Sequence, residues 1–416
     1  LYEQTYGWGI NYTVTQSAEI TVGPLAGYSY TITPGEFGQT LASHGGYGNW
    51  NDQKFNVEIS VPAEGNLITL QMYAGLNQSA RDEAWGIDNF EVLKNQSNVN
   101  FTLVGGDGTD VLEGGIRSDI VMGGAGSDTL TGGAGDDTLT GGTGDDAFTG
   151  NATAVATTNT FTTGDSLVGG GGTDRLTVAI SDGATTPSTL VATSGIEELA
   201  IFNNDTGGFV LQGDLMDGLT DVYVTSGQDA ITVDQLNSTP NLHLTSTNVN
   251  ATLVAAAATV AGTADAITIA SNGVASSAAV TATFNGIETI NLAGAGANTG
   301  SATTALTVAS DSLETLNVTG ATNMYIVADL TGADNSGEVA TFNASAATGN
   351  ITATPTAGGS TEMAITMGAG DDVITLGAMD KDYTVDGGAG TDRIVTSAAA
   401  YTAALLASGD LTGQNV

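Results

Sequence analysis

The chain has 416 residues and carries 45 acidic against 7 basic side chains, a formal net charge of −38. This charge excludes nucleic acid and anionic membrane surfaces as partners and favours the binding of cations. The lack of cysteine excludes disulfides and thiolate metal sites. A charge-free stretch at residues 266–287 is interleaved with Ser, Thr and Asn, so we expect no insertion into a membrane.

Residues 1–98 have the pattern of an antiparallel β-sandwich. Short alternating runs such as residues 56–61 and 67–72 are bounded by Gly, Pro and Asn, and residues 85–92 would form the last strand. No signal peptide is found at Leu1, so we expect a processed form or a fragment whose sandwich is truncated at its start.

Residues 105–149 consist of five consecutive nine-residue units, the strongest signal in the sequence. The units read GGDGTDVLE, GGIRSDIVM, GGAGSDTLT, GGAGDDTLT and GGTGDDAFT. After an insertion at 150–159 the pattern resumes with TFTTGDSLV (160–168) and GGGGTDRLT (169–177), and it returns with GAGDDVIT (368–375) and GGAGTDRIV (387–395). These copies predict one structural unit used in two segments, residues 99–177 and 367–416.

Each unit combines a glycine-rich turn, an Asp at its sixth position and an apolar residue at its eighth. Glycine permits backbone conformations that point carbonyl oxygens into the turn, and the Asp adds a carboxylate. All-oxygen ligands in a flexible ring suit Ca²⁺, whereas Mg²⁺ needs a stricter octahedron and Zn²⁺ prefers Cys or His. The apolar residues are predicted to face inward from short strands: Leu112, Val121, Leu130, Leu139 and Phe148.

The alternative is that the Asp residues only cap turns, as Asp often does. A single such turn would favour that interpretation, but five units in tandem register favour calcium. Asp205 and Asp229 lie outside any unit and are interpreted as solvated turn residues.

The units resemble the repeats-in-toxin (RTX) nonapeptide G-G-x-G-x-D-x-U-x. The resemblance implies a parallel β-roll with several calcium ions in its turns, export by type I secretion and folding triggered by external calcium. Arg117 stands where the second unit should have glycine, so we expect a strained turn and a weak site there. The ligands implied by the resemblance are the Asp carboxylates and the carbonyls of the second and fourth positions: Gly106, Gly108, Asp110, Gly115, Asp119, Gly124, Gly126, Asp128, Gly133, Gly135, Asp137, Gly142, Gly144, Asp146, Asp165, Gly170, Gly172, Asp174, Gly368, Gly370, Asp372, Gly388, Gly390 and Asp392.

Residues 178–366 carry a looser repeat and little charge, with no Lys or Arg from 176 to 380. A short strand recurs at intervals of 20 to 26 residues, which is typical of a solenoid with one such strand in each coil. The equivalent apolar positions are Leu199, Val222, Leu242, Ile267, Ile290, Leu316 and Phe342. The predicted fold is therefore all-β: a sandwich followed by a parallel β-roll and an irregular β-solenoid, with calcium in the turns of the roll.

Two further resemblances bear on function. Residues 164–395 resemble the lattice-forming part of Gram-negative surface-layer (S-layer) proteins, through the strands GIETINLAG and SLETLNVTG, the low-charge coils and the returning calcium units. This implies a calcium-linked sheet or fibre on the cell surface. Residues 55–92 resemble the end of a jelly-roll, lectin-like sandwich, through the segment RDEAWGIDN at 81–89.

The lectin-like segment leaves two interpretations open. Trp85 and Ile87 would be core residues, and the polar residues near them would fix a turn or contribute to a calcium or sugar site. The segment around residues 47–51 also allows two interpretations, an aromatic platform that binds sugar or side chains that only pack in the core or at its rim. The residues concerned are Asp82, Asp88 and Asn89 for the polar site and Tyr47, Trp50 and Asn51 for the platform.

These patterns predict a secreted, calcium-dependent structural protein that assembles with itself into a surface layer or filament, with a cell-surface glycan or lipopolysaccharide as a candidate partner. The alternative is a calcium-dependent, carbohydrate-binding adhesin with the solenoid as its stalk. We expect no enzyme, because HExxH, GxSxG and phosphate-loop motifs are missing and because His44 and His243 have no obvious catalytic partner. Glu197 and Glu198, being adjacent on a strand, would point to opposite faces.

Overall fold

A computed structural model describes most of the chain beyond residue 99. It describes residues 100–153, 159–181, 191–225, 227–274, 279–296, 299, 304–330, 339–357, 362–376 and 383–396, and the backbone of four further strands. These four are β1 (Ser29–Pro34), β2 (Phe55–Ser60), β3 (Leu67–Thr69) and β32 (Leu411–Gln414). The segments proposed for the lectin-like site, 47–51 and 81–92, lie outside the described residues.

The described residues form strands and no helix, in three parallel sheets and one antiparallel pair, β1 with β2. None of them belongs to a helix that could span a membrane. The seven-stranded sheet contains β3, β4 (Asn100–Asp107), β6 (Ile120–Ala125), β8 (Thr138–Thr143), β10 (Ser166–Gly171), β12 (Ala192–Ser194) and β15 (Met216–Asp217). The fourteen-stranded sheet contains β5 (Val111–Gly115), β7 (Thr129–Gly133), β9 (Ala147–Ala152), β11 (Arg175–Ile180), β13 (Glu198–Asn203), β16 (Asp221–Val224), β18 (Asn241–Thr247), β20 (Ala266–Val274), β22 (Thr289–Gly294), β24 (Thr315–Gly320), β26 (Ala340–Ala347), β28 (Met363–Thr366), β30 (Tyr383–Asp386) and β32. The nine-stranded sheet contains β14 (Phe209–Gln212), β17 (Ile231–Leu236), β19 (Ala251–Ala255), β21 (Val280–Phe284), β23 (Leu306–Ser310), β25 (Met324–Leu330), β27 (Ile351–Ala357), β29 (Val373–Leu376) and β31 (Arg393–Thr396).

In the glycine-rich region, consecutive strands alternate between the seven- and fourteen-stranded sheets. Each nonapeptide is therefore half a coil, and equivalent residues stack 18 positions apart, as Leu112 does on Leu130 and Val121 on Leu139. The insertion after the fifth unit lengthens one coil, so that Leu139 pairs with Leu167. This arrangement confirms the parallel β-roll that the repeat predicts.

The coil of residues 198–217 joins the roll to the solenoid. It contributes β13, β14 and β15, one strand to each parallel sheet; the seven-stranded sheet ends there and the nine-stranded sheet begins. The chain beyond it is a two-sided parallel β-solenoid, as the looser repeat predicts. Near the N-terminus, β3 pairs in parallel with β4 and so extends the seven-stranded sheet.

The register of the predicted apolar positions holds with one exception. Leu316 pairs with Ile290 and Phe342, but Leu242 lies opposite Ile269, where the sequence interval predicts Ile267. The reason is that a strand can slip by two residues and still bury the same face. Both isoleucines face the core.

The core is one continuous apolar column between the sheets. Strands alternate buried and outward residues with the period of two that a strand imposes, as in β25. The apolar residue of each of the five tandem nonapeptides is at most 3% exposed, which confirms the prediction that these residues face inward: Leu112, Val121, Leu130, Leu139 and Phe148.

Candidate calcium-binding turns

The turn aspartates of the roll form two rows, one along each edge. Because equivalent residues stack every second unit, the first row contains Asp110, Asp128, Asp146 and Asp174, and the second contains Asp119, Asp137 and Asp165. All seven are no more than 5% exposed. Charged side chains are rarely buried this fully without a compensating partner.

Within each row a ladder of hydrogen bonds joins one coil to the next. The backbone N–H of Asp110 donates to Asp128 Oδ1 at 2.8 Å, and the N–H of Asp128 donates to Asp146 Oδ1 at 2.8 Å. The ladder continues from Asp146 to Asp174 Oδ1 at 2.8 Å, and the second row repeats it with distances of 2.7 and 2.9 Å. After the first Asp of each row, one carboxylate oxygen of every Asp therefore accepts a hydrogen bond from the preceding coil and fixes the stacking.

The other oxygen faces the glycine turn. A Cβ added to Gly123 would collide with Asp128 Oδ2 and would lie 2.7 Å from the carbonyl oxygen of Gly141. The arrangement recurs one coil further on, where a Cβ on Gly141 would meet Asp146 Oδ2 and the carbonyl oxygen of Gly169. The first glycine of a unit is thus required because a carboxylate and a carbonyl oxygen converge beside it.

The second and fourth glycines hold the turn in a conformation that other residues avoid. Their φ angles lie between 82° and 138° in six units, at Gly106, Gly108, Gly124, Gly126, Gly133, Gly135, Gly142, Gly144, Gly170, Gly172, Gly388 and Gly390. Only glycine adopts such angles without strain.

Three predicted turns depart from this geometry, and one of them is the turn of the unit 160–168, in which no residue has a positive φ. Gln235 and Ser246 are the non-glycine residues with positive φ in the described part of the chain, so Arg117 is not among them, and Gly115 also has no positive φ. The prediction of a strained turn at Arg117 is therefore wrong, because the backbone of that turn takes another conformation. Gly368 and Gly370 likewise have no positive φ.

The second calcium segment preserves the ladder nevertheless. Asp372 is 1% exposed; its Oδ1 accepts a hydrogen bond from Ile351 N at 2.7 Å, and its own N–H donates to Asp392 Oδ1 at 3.0 Å. Asp372 and Asp392 therefore stack as the aspartates of the roll do.

The chemistry of these turns fits calcium. Oδ2 of Asp128, Asp146 and Asp174 is buried and accepts no hydrogen bond from the described residues. A buried carboxylate oxygen without a donor is costly unless a cation or a proton neutralises it. The described residues contain no cluster of three or more His, Cys, Asp or Glu side chains that could hold a metal ion. The groups that do converge are a carboxylate and a carbonyl oxygen, such as Asp128 Oδ2 and Gly141 O, and hard Ca²⁺ accepts both.

The pKa directions agree with this fit. Burial raises the pKa of Asp174 to about 6, and it also raises the pKa of Asp128, Asp146, Asp165 and Asp372. Hydrogen bonds to backbone N–H groups act in the opposite direction but are outweighed. Each of these carboxylates gains from a bound positive charge.

One contributor to the ladder, Glu197, lies outside the nonapeptide units and was not predicted from them. Asp174 donates its N–H to Glu197 Oε2 at 2.9 Å, so a glutamate takes the place of aspartate after the last unit of the roll. Its signal was the Gly-x-Glu of residues 195–197, a shortened turn that precedes a strand at the position where Gly and Asp stood before.

Asp205, Asp229 and His243 lie outside the candidate calcium-binding turns. Asp205 and Asp229 each accept a hydrogen bond from the next residue's N–H at 2.7 Å, as turn residues do. His243 lies on the outer face of β18, with Nε2 2.6 Å from Asp221 Oδ1 and its ring stacked on Tyr223 at 4.2 Å.

Glu198 points outward to Tyr223 and to Arg175, whereas Glu197 points to Asp174. The two adjacent glutamates therefore act on different groups, and they do not converge on one point.

Comparison with known families identifies the turns of the tandem units. The family model of the RTX calcium-binding nonapeptide repeat matches residues 102–121 and 113–148, with four copies. Repeats of this family bind calcium, and they are typical of proteins that type I systems secrete and that act outside the cell. No curated protein matches the chain.

Proposed function

We propose that this protein is a secreted, calcium-dependent structural protein whose copies assemble side by side into a cell-surface layer or an extracellular filament. Calcium folds the roll, and the solenoid supplies the surface through which copies meet. The chain is not an enzyme in this proposal. Export by a type I system is the route that the nonapeptide repeats support.

The observation that carries the proposal is an uncharged face on a strongly acidic molecule. The outward residues of β20, β22, β24 and β26 are Thr, Asn, Ala, Ser and Gly, in rows such as Thr289–Thr315–Thr341 and Asn291–Asn317–Asn343. Copies that each carry a net charge of −38 repel one another, so close contact is least costly across a neutral face.

Hydrogen bonds hold this face in place. Asn317 Nδ2 donates to Asn291 Oδ1 at 2.9 Å, and Asn343 Nδ2 donates to Asn317 Oδ1 at 3.2 Å. An array whose side chains are already ordered loses little side-chain entropy when it is covered.

The test is a calcium titration of chelated monomer, followed by light scattering and electron microscopy. We expect compaction and then growth into sheets or filaments. Thr315→Glu places a carboxylate in the middle of the neutral face and should stop growth while leaving compaction intact. Thr307→Glu is the matched control, because Thr307 is an equally half-buried outward residue on the nine-stranded sheet.

Growth blocked by Thr307→Glu and not by Thr315→Glu would assign assembly to the opposite face. A chain that compacts but stays monomeric at high concentration would overturn the structural proposal. The carbohydrate-binding adhesin would then be the better hypothesis, and glycan binding by the segment around Trp50 would be its test.

A further inference from the structure

The row of acidic residues does not end with the glycine-rich units. In the first row each Asp donates its N–H to a carboxylate of the next coil, and for Asp174 that carboxylate belongs to Glu197. The carbonyl oxygen of Asp174 in turn accepts from Glu197 N at 3.1 Å and Glu198 N at 3.0 Å. A coil without a nonapeptide thus takes part in the ladder.

The oxygens around Asp174 are arranged as in the turns before it. Asp174 is 0% exposed, and its buried Oδ2 accepts no hydrogen bond from the described residues. A Cβ on Gly169 would collide with both Asp174 Oδ2 and the carbonyl oxygen of Gly195. Gly195 therefore presents its carbonyl as Gly141 and Gly169 do in the preceding coils.

The same arrangement recurs in the solenoid, far from any glycine-rich unit. Asp265 donates its N–H to Glu288 Oε2 at 2.8 Å, and its carbonyl oxygen accepts from Glu288 N at 3.2 Å and Thr289 N at 3.0 Å. Asp265 Oδ2 is buried without a hydrogen-bond donor among the described residues, and Glu288 is 8% exposed. In both pairs the two acids directly precede neighbouring strands of the fourteen-stranded sheet.

No side chain of the region can neutralise the second pair. The sequence has no Lys or Arg from 176 to 380, and the nearest basic residues along the chain are already engaged: Arg175 with Glu198 and His243 with Asp221. A carboxylate oxygen that is buried without a donor, as Asp265 Oδ2 is, is costly unless a cation or a proton neutralises it.

We propose that Asp174–Glu197 and Asp265–Glu288 are cation sites of a second kind, in which a glutamate from the next coil replaces the nonapeptide aspartate. The ligand class is a divalent cation that takes oxygen ligands, and the carbonyl oxygen of Gly195 beside Asp174 Oδ2 favours Ca²⁺. Through the Asp265–Glu288 site, the middle of the solenoid would bind the same kind of cation as the roll.

The test counts bound ions on the full chain by native mass spectrometry in calcium-buffered solution. Glu288→Gln is expected to lose one calcium ion per monomer, Asp265→Asn to lose the same one, and the double variant to lose no more than either. Glu197→Gln should lose one ion from the Asp174 turn. Gln keeps an oxygen that can accept the N–H of Asp265, so the strands retain their register.

Asp205→Asn is the charge-matched control, because Asp205 caps an isolated turn, and it should retain every ion. If Glu288→Gln and Asp265→Asn both bind as many ions as the unmodified protein, the Asp265–Glu288 site is overturned. If Glu197→Gln binds as many, the Asp174–Glu197 site is overturned. A variant that is partly unfolded would also bind fewer ions, and the melting temperature with and without calcium, measured on the same variants, tests this. Loss of a calcium site makes the increase in melting temperature on adding calcium smaller. The counts are made on monomers, so they do not depend on whether the protein assembles.

Discussion

The roll and the solenoid share one parallel coil but differ in what holds the coil together. A roll strand such as β7 buries one large side chain, Leu130, followed by glycines, and a buried Asp precedes it. A solenoid strand such as β25 buries four apolar residues, from Met324 to Leu330. Each strand of the roll therefore buries fewer apolar side chains and depends on carboxylates that need a cation, whereas each strand of the solenoid contributes several residues to an apolar core. Stability against calcium removal should differ accordingly.

The largest expected effect is that of calcium removal. In excess chelator, the buried aspartates of the roll lose their counter-charge, and nine-residue half-coils bury too little apolar surface to order a glycine-rich backbone. Amide hydrogen exchange should show loss of protection throughout residues 100–152 and continued protection in strands β21 to β27. Equal protection of both regions in chelator would show that the roll, too, is held by its core.

The converse test removes core from the solenoid. Leu316 is 0% exposed and stacks between Ile290 and Phe342, so Leu316→Ala should cost about 2–5 kcal/mol of unfolding free energy. Because no nonapeptide lies in this part of the solenoid, we expect a similar loss with and without calcium, measured by chemical denaturation.

Thr315→Ala, at the neighbouring outward position, is the control and should cost about 0.5 kcal/mol or less. A Leu316→Ala loss that appears only in calcium would mean that the solenoid core forms after the roll and depends on it.

A matched pair of glycines separates the two requirements of the roll turn. Gly106 and Gly124 have φ angles of 115° and 120°, but a Cβ on Gly106 would meet nothing within 4 Å, whereas a Cβ on Gly124 would collide with Gly106 O. Gly106→Ala should cost about 1–3 kcal/mol through backbone strain alone.

Gly124→Ala should cost about 1–3 kcal/mol more, because the coils must also move apart. The measurement is calcium-dependent thermal unfolding of the two variants. Equal losses would show that only the backbone conformation, and not the close stacking of coils, requires glycine.

The sequence predicted the roll better than the solenoid because a nine-residue period fixes both the turn and the inward residue. The eighth-position residues and the stacked aspartates follow from that period alone. The pairing of Leu242 with Ile269 does not, since loops of unequal length allow a slip of two residues that leaves burial unchanged.

The start of the nine-stranded sheet at β14 could not be predicted either. The residues of β14 alternate like those of any other strand, and only the long-range pairing with β17 shows that a new sheet begins. Glu197 and Glu288 lie 23 residues from their partners, and the Gly-x-Glu at residues 195–197 and 286–288 is too short a motif to predict that pairing.

The smallest expected effect concerns the neutral face of the solenoid. Asn317→Ala removes two side-chain hydrogen bonds at a half-buried position, so it should cost only about 1 kcal/mol of unfolding free energy, because water can replace the lost partners. Thr319→Ala, an exposed neighbour on the same strand, should cost less still. Chemical denaturation of monomers measures both. A loss of about 3 kcal/mol or more at Asn317 would make the asparagine row a structural element of the solenoid. A small loss of stability combined with loss of assembly would instead mean that the asparagine row serves the surface and contributes little to the stability of the solenoid.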